Sequence, residues 1–100
     1  MTMNEDLEHI AEHYGFYSQS HMLIEEMAEL AQALNKLYRA QGKGQPTTES
    51  KKDTFLHLYE ELADVEICIE QVVHLLECRD SVDAWKEVKI QRQLKRMEEE

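Results

Sequence analysis

The stretch FLHLYEELADVEICIEQVVHLL, residues 55–76, decides the fold. Phe55, Leu58, Leu62, Val65, Ile69, Val72 and Leu76 recur at intervals of 3, 4, 3, 4, 3 and 4, the seam of a helix packed lengthwise against another helix. Upstream, Leu23, Met27, Leu30, Leu34 and Leu37 repeat the pattern, which predicts a helix over about residues 19–40 capped by Ser18 or Ser20. Between the two, QGKGQPTTESKKD (41–53) holds two of the three glycines and the only proline, so it reads as a loop, long for a simple hairpin.

Thr2 and Glu5 are spaced for a capping box, and Leu7, Ile10, Ala11 and Tyr14 predict a short helix over 3–14 ended by Gly15. The second seam runs to about Cys78, where Arg79-Asp80-Ser81 interrupts it. Ser81 then caps a last helix bearing Val82, Trp85, Val88 and Leu94. No strand pattern or repeat competes. The chain is therefore predicted to be one all-α domain over residues 1–100, an antiparallel helical hairpin with flanking N- and C-terminal helices. Two long seams make half a bundle, and Tyr59, Ile67, Val73 and Leu75 fall off the main stripe. A homodimer, or a tetramer built as a dimer of dimers, is expected to bury them in a four-helix core.

Composition narrows the function classes. The chain has 42% hydrophobic and 32% charged residues, ordinary for a folded protein. No apolar run approaches a membrane span, and the acidic start MTMNEDLEHI does not resemble a secretory signal. Cys68 and Cys78 stand ten residues apart in what reads as one helix, too far to bond within it. They fit buried small hydrophobes in a reducing, cytoplasmic setting. A formal charge of -10 argues against binding a nucleic-acid polymer. The cations cluster: Lys36, Arg39, Lys43, Lys51 and Lys52 surround the loop, and Lys86, Lys89, Arg92, Lys95 and Arg96 lie near the C-terminus, with Arg79 apart.

The acids pose the sharper question, because IEEMAEL (24–30) and EELADVEI (60–67) plant them in the most apolar segments. At roughly 100° per residue, Glu26 lies about 60° and Glu29 about 120° from the centre of the first seam. Glu61 and Asp64 take the same offsets, on the same-handed side, in the second. In an antiparallel pair, matching flanks share one side, and Glu29 falls level with Asp64. Four carboxylates converge, with Glu25 at their border. Such a set cannot stay fully ionised unaided, and oxygen-only ligands suit Mg²⁺ or Mn²⁺. Glu26, Glu29, Glu61 and Asp64 are the candidate metal ligands.

Glu66, Glu70 and Glu77, on the opposite flank, read as solvated or as partners of another subunit. A di-iron bundle would want Glu-x-x-His, and none of His9, His13, His21, His57 and His74 follows a Glu by three; all five read as surface or packed residues. Lys36 shares a face with Glu25 and Glu29, and Lys89, Arg92 and Arg96 form a stripe able to clamp phosphates. Phe16, Tyr17 and Trp85 could stack on a base, although core packing is the plainer expectation.

Glu25-Glu26-x-x-Glu29 followed, after a gap, by Glu61-x-x-Asp64 resembles the MazG-like all-α nucleoside triphosphate pyrophosphohydrolases. The phrases LIEEMAELAQAL and EELADVEICIEQ are similar to small bacterial and phage members, over residues 15–78. The resemblance implies Mg²⁺-dependent hydrolysis of (deoxy)nucleoside triphosphates to monophosphate and pyrophosphate, in nucleotide-pool house-cleaning. It implies Glu26, Glu29, Glu61 and Asp64 as the metal ligands and Glu25 as a residue that orients or deprotonates water. It also implies dimers, often doubled to tetramers. Phosphoribosyl-ATP pyrophosphohydrolase and dUTPase-like activities share the motif, and a non-enzymatic acidic helical interaction module is the rival outside this class.

Overall fold

A computed structural model describes residues 1–100 as three helices and no strand: α1 (Met3–Ala40), α2 (Lys51–Leu76) and α3 (Arg79–Glu98). The all-α expectation holds. α1 and α2 pack along each other as an antiparallel hairpin, while α3 meets only α2, and only slightly.

The start of α1 follows the capping box, with the Glu5 N–H donating to Thr2 Oγ1 at 3.1 Å and the Thr2 N–H to Glu5 Oε1 at 3.2 Å. Gly15 interrupts the helix, as expected. Its φ of 87° and ψ of 172° are non-helical, so α1 is two helical segments meeting at a kink, the first close to the expected 3–14 and the second beginning directly after Gly15 rather than at 19. Neither Ser18 nor Ser20 caps anything; the Ser20 hydroxyl donates back to the Tyr17 carbonyl at 3.1 Å.

Ser50 starts α2, accepting from the Asp53 N–H at 3.1 Å. The connection is therefore residues 41–50, shorter than the expected 41–53, because Lys51, Lys52 and Asp53 form the first turn. At the other end Glu77 takes the left-handed conformation, φ 53°, and α3 begins directly at Arg79. The triplet read as a break is the first turn of α3, held by Arg79, which pairs with Glu70 at 3.0 Å and Asp83 at 2.8 Å. Ser81 lies inside that helix and caps nothing.

The seams are turned. In α1 the side chains that go inward are Gln19, Leu23, Glu26, Leu30, Ala33 and Leu37, not Met27. In α2 they are Thr54, Leu58, Glu61, Val65, Cys68 and Gln71, while Leu62, Ile69 and Leu76 stay exposed. Both seams rotate by roughly 50° from the apolar stripe toward its acidic edge. Ala33, Leu37 and Leu58 form the apolar centre, flanked by Leu30, Leu34 and Phe55. Val73, expected to await a second subunit, is buried within the chain, whereas Tyr59 and Ile67 are exposed. Phe16, Tyr17 and Trp85 are exposed, not packed in a core.

The short limb of α1 before Gly15 is tied down by polar groups. Gln71, 2% exposed, accepts from Gln19 Nε2 at 2.7 Å and donates to the Leu7 carbonyl at 3.2 Å. His74 meets Glu12 at 2.9 Å and Glu8 at 3.7 Å. Each buried amide is thus partnered, as burial requires.

Candidate metal centre

The seam rotation places acid where a heptad expects an apolar side chain. Glu61 stands between Leu58 and Val65 on the inward face of α2, only 7% exposed, and Glu26 stands half-buried between Leu23 and Leu30 on α1. Glu29, a turn beyond Glu26 and exposed, closes the set: one carboxylate oxygen from each of Glu26, Glu29 and Glu61 lies within 4.8 Å of the others. Oxygens on opposite sides of one divalent ion, each bonded at about 2.1–2.4 Å, occupy that span.

Electrostatics follow from the geometry. Burial pushes the Glu26 carboxyl from 4.5 up to about 7, with further upward pressure from Glu29, Asp64 and Glu61 in that order. Burial also raises Glu61, again with help from Glu29 and then Asp64, against the opposing influence of His57. The Cys68 thiol, one heptad past Glu61 and buried, is raised by burial and then by Glu26 and Asp64. Proton affinity is therefore highest at the two carboxylates that the seams turn inward.

Two oxygens test whether a cation fits. Glu26 Oε2 and Glu61 Oε2 are both buried without a hydrogen-bond partner. An unpartnered buried acceptor costs about 1–3 kcal/mol, more if charged, and native interiors rarely leave one. Both lie in the same three-carboxylate cluster as Glu29, so either a carboxyl proton shared with Glu29 or one hard cation would satisfy them. The donor set is all carboxylate oxygen, which fits Mg²⁺ or Mn²⁺.

Of the residues expected from sequence, Glu26, Glu29 and Glu61 come together. Asp64 is exposed and outside the trio, yet close enough for its charge to act on Glu26 and Glu61. Glu25 is exposed and joins neither. Lys36 is half-buried on α1 without an ion-pair partner. Lys89, Arg92 and Arg96 are exposed on α3, which has no buried residue and does not approach α1, so one chain does not bring them to the carboxylates. Glu70 is paired with Arg79 rather than merely solvated.

Sequence reading missed His57, whose Nε2 lies 3.8 Å from Glu61 Oε1. Its signal was available in the i, i+4 spacing to Glu61, which places both on one helical face. It also missed Cys68 as a wall of the site. No family model matches this chain, and neither the curated proteins nor the solved structures compared with it include a similar one.

Proposed function

We propose that this chain is a Mg²⁺-dependent nucleoside triphosphate pyrophosphohydrolase that works as a homo-oligomer in the cytoplasm. One observation carries the reading: two buried, unpartnered carboxylate oxygens, from different helices, in a single three-carboxylate cluster. The likeness of the Glu-Glu-x-x-Glu and Glu-x-x-Asp motifs to MazG-like enzymes supplies the substrate class.

Glu26, Glu29 and Glu61 would hold the cation, with Asp64 at the open edge. When bound there, a divalent ion offsets phosphate charge and lowers the pKa of coordinated water. The chain's own groups set the rest. Without a cation, the trio and Asp64 repel any triphosphate, which makes substrate binding conditional on metal. Glu25, exposed beside Glu26 and free of the trio, is the carboxylate left to orient or deprotonate the attacking water. Lys36 lies two turns beyond Glu29 on the same face, about 10 Å along the axis, and would meet a distal phosphate. Release of pyrophosphate needs no covalent nucleophile.

The oligomer is the counterpart of the turned seams. Met27, Leu62, Ile69 and Leu76 are all exposed, and matching offsets put Met27 and Leu62 on the side of the hairpin away from Glu29 and Asp64. Pairing of two hairpins through that side would complete a four-helix core without covering the carboxylates.

The test is a panel of canonical and modified nucleoside triphosphates with Mg²⁺ or with chelator, read by product identification. Monophosphate and pyrophosphate are expected only with metal, and are lost in folded Glu29→Gln and Asp64→Asn variants. No turnover on any substrate, together with no metal-linked rise in melting temperature, would return the chain to an acidic interaction module.

A further inference from the structure

We propose that α3 docks into an acidic groove on a second copy of this chain, the two copies exchanging the helix reciprocally. The groove, about 460 Å³, runs between the first turns of α1 and the middle of α2. Leu7, Ile10 and Ile67 supply its apolar surface, and Asp6 and Glu66 its free acidic groups; Glu70, also in the lining, is already paired with Arg79, and no lysine or arginine lines the groove itself.

The helix that fits is on the same chain and, beyond the Arg79 pair that ties its first turn to α2, is unused by it. α3 is 20 residues long and buries none of them. A helix of that length standing alone in water is marginal, since helical stability comes mainly from packing one face. Trp85, Val88, Lys89 and Arg92 fall at i, i+3, i+4 and i+7, so one face presents two apolar side chains followed by two cations, and Arg96 continues it. The groove offers the complement, apolar surface beside carboxylates.

Charge is divided accordingly. Residues 1–78 hold 15 of the 21 carboxylates and 5 of the 11 cations, whereas residues 86–96 hold five cations against Glu87 alone. Lengths match too. The lining spans Met3 to Ile10 and Ala63 to Gln71, about 12–14 Å of helix, as does Trp85 to Arg92. Within its own chain α3 departs from the end of α2 and never reaches α1, so its own groove stays open to a partner.

Area points to a second copy. The accessible surface is 7924 Å², against about 5900 Å² expected for a compact monomer of this mass. The excess, about 2000 Å² per chain, is of the size that an intertwined dimer covers, and it includes the exposed Met27, Leu62, Ile69 and Leu76 stripe as well as α3. Each chain brings one groove and one helix, so a twofold exchange closes with none left over. Lys89 and Arg92 thereby become interface residues rather than phosphate ligands.

Trp85 is the only tryptophan, 60% exposed in a single chain, and reports on docking directly. The experiment combines sedimentation with acrylamide quenching of Trp85 over a dilution series of the full chain. A dimer whose Trp85 is at least twofold less quenchable than in the diluted monomer is expected. The pair Lys89→Glu and Arg92→Glu should raise the dimer dissociation constant at least tenfold with helix content unchanged. Adding Asp6→Lys and Glu66→Lys should restore it to within about threefold. A monomer at every concentration, a dimer with Trp85 fully quenchable, or an association unmoved by charge reversal would each overturn the exchange. Those results would leave the carboxylate centre standing, since it is tested by metal and turnover.

Discussion

Replacing Glu61 with leucine should stabilise the metal-free protein, the reverse of what removing a buried side chain usually does. Glu61 fills an inward seam position between Leu58 and Val65, is 7% exposed, and carries a buried Oε2 with no partner. Relieving an unpartnered buried acceptor returns about 1–3 kcal/mol. A buried leucine adds apolar burial of similar size, from which imperfect fit subtracts about 1 kcal/mol. With the acceptor taken at the lower end of its range, the net gain is about 2 kcal/mol, which raises the melting temperature of a 100-residue domain by about 8–16 °C. Glu61→Gln removes the charge but keeps a polar group in the same place, so its gain should be less than half as large. Saturating Mg²⁺ changes the order. At 100 times its dissociation constant a ligand adds about 2.7 kcal/mol to wild type and nothing to a variant that cannot bind it. The wild type should then melt level with or above Glu61→Leu. The assay is thermal unfolding at one fixed protein concentration, in chelator and in Mg²⁺, because an oligomer's midpoint moves with concentration. A leucine variant that melts below wild type in chelator would refute the premise that this acid sits in the seam at the expense of stability.

Metal-free stability should fall as pH rises. The Glu26 carboxyl is raised from 4.5 to about 7, so its contribution is fully present below 4.5 and lost as pH climbs through 7. Water on the open side of the cluster screens the about 3.4 kcal/mol implied to about 1–2 kcal/mol. Urea midpoints in chelator at pH 5 and 8 should show the decline, and Glu26→Gln should flatten it; an unchanged slope counts against the shift. Gly15→Ala should cost about 2 kcal/mol, because φ 87° with ψ 172° is a conformation open essentially to glycine alone, while the space around it is empty. An unchanged denaturation midpoint would mean that the bend relaxes freely. Glu77→Gly should gain about 1 kcal/mol by relieving a left-handed residue at the end of α2, read as a higher midpoint at constant m-value.

The helical class, the pairing of the two long segments and the convergence of Glu26, Glu29 and Glu61 were all legible in the sequence, since each follows from spacing along single helices. What sequence could not give was the rotation of each helix about its axis. Leu23, Leu30 and Leu37 belong equally to the seam expected and the seam found; the choice between Met27 and Glu26 as the alternate member depends on the facing helix. Periodicity favours the methionine. The fold takes the glutamate, with Ala33 and Cys68 following on the same inward faces. The Gly15 stop was legible as well, because a φ of 87° is open to glycine and interrupts the helix there; what residue types did not give was that the next segment resumes at once, without a cap at Ser18 or Ser20. The Arg79-Asp80-Ser81 triplet looked like a break because its ion pairs to Glu70 and Asp83 are tertiary or one turn ahead.

The same rotation explains both anomalies of this molecule. With each helix turned back by roughly 50°, Met27, Leu62 and Ile69 would fill the hairpin interior and Glu26 and Glu61 would swing to its edge. Such a chain would have a larger core of its own, but its carboxylates would be hydrated and free to splay. Turned as they are, the helices hold two acids against each other in a seam shielded on one side, where mutual repulsion would favour a cation. The apolar stripe displaced to the outside must then be covered by something else. The proposed metal affinity and the proposed self-association would thus both follow from one packing choice, and a variant that restores the apolar seam should weaken both together.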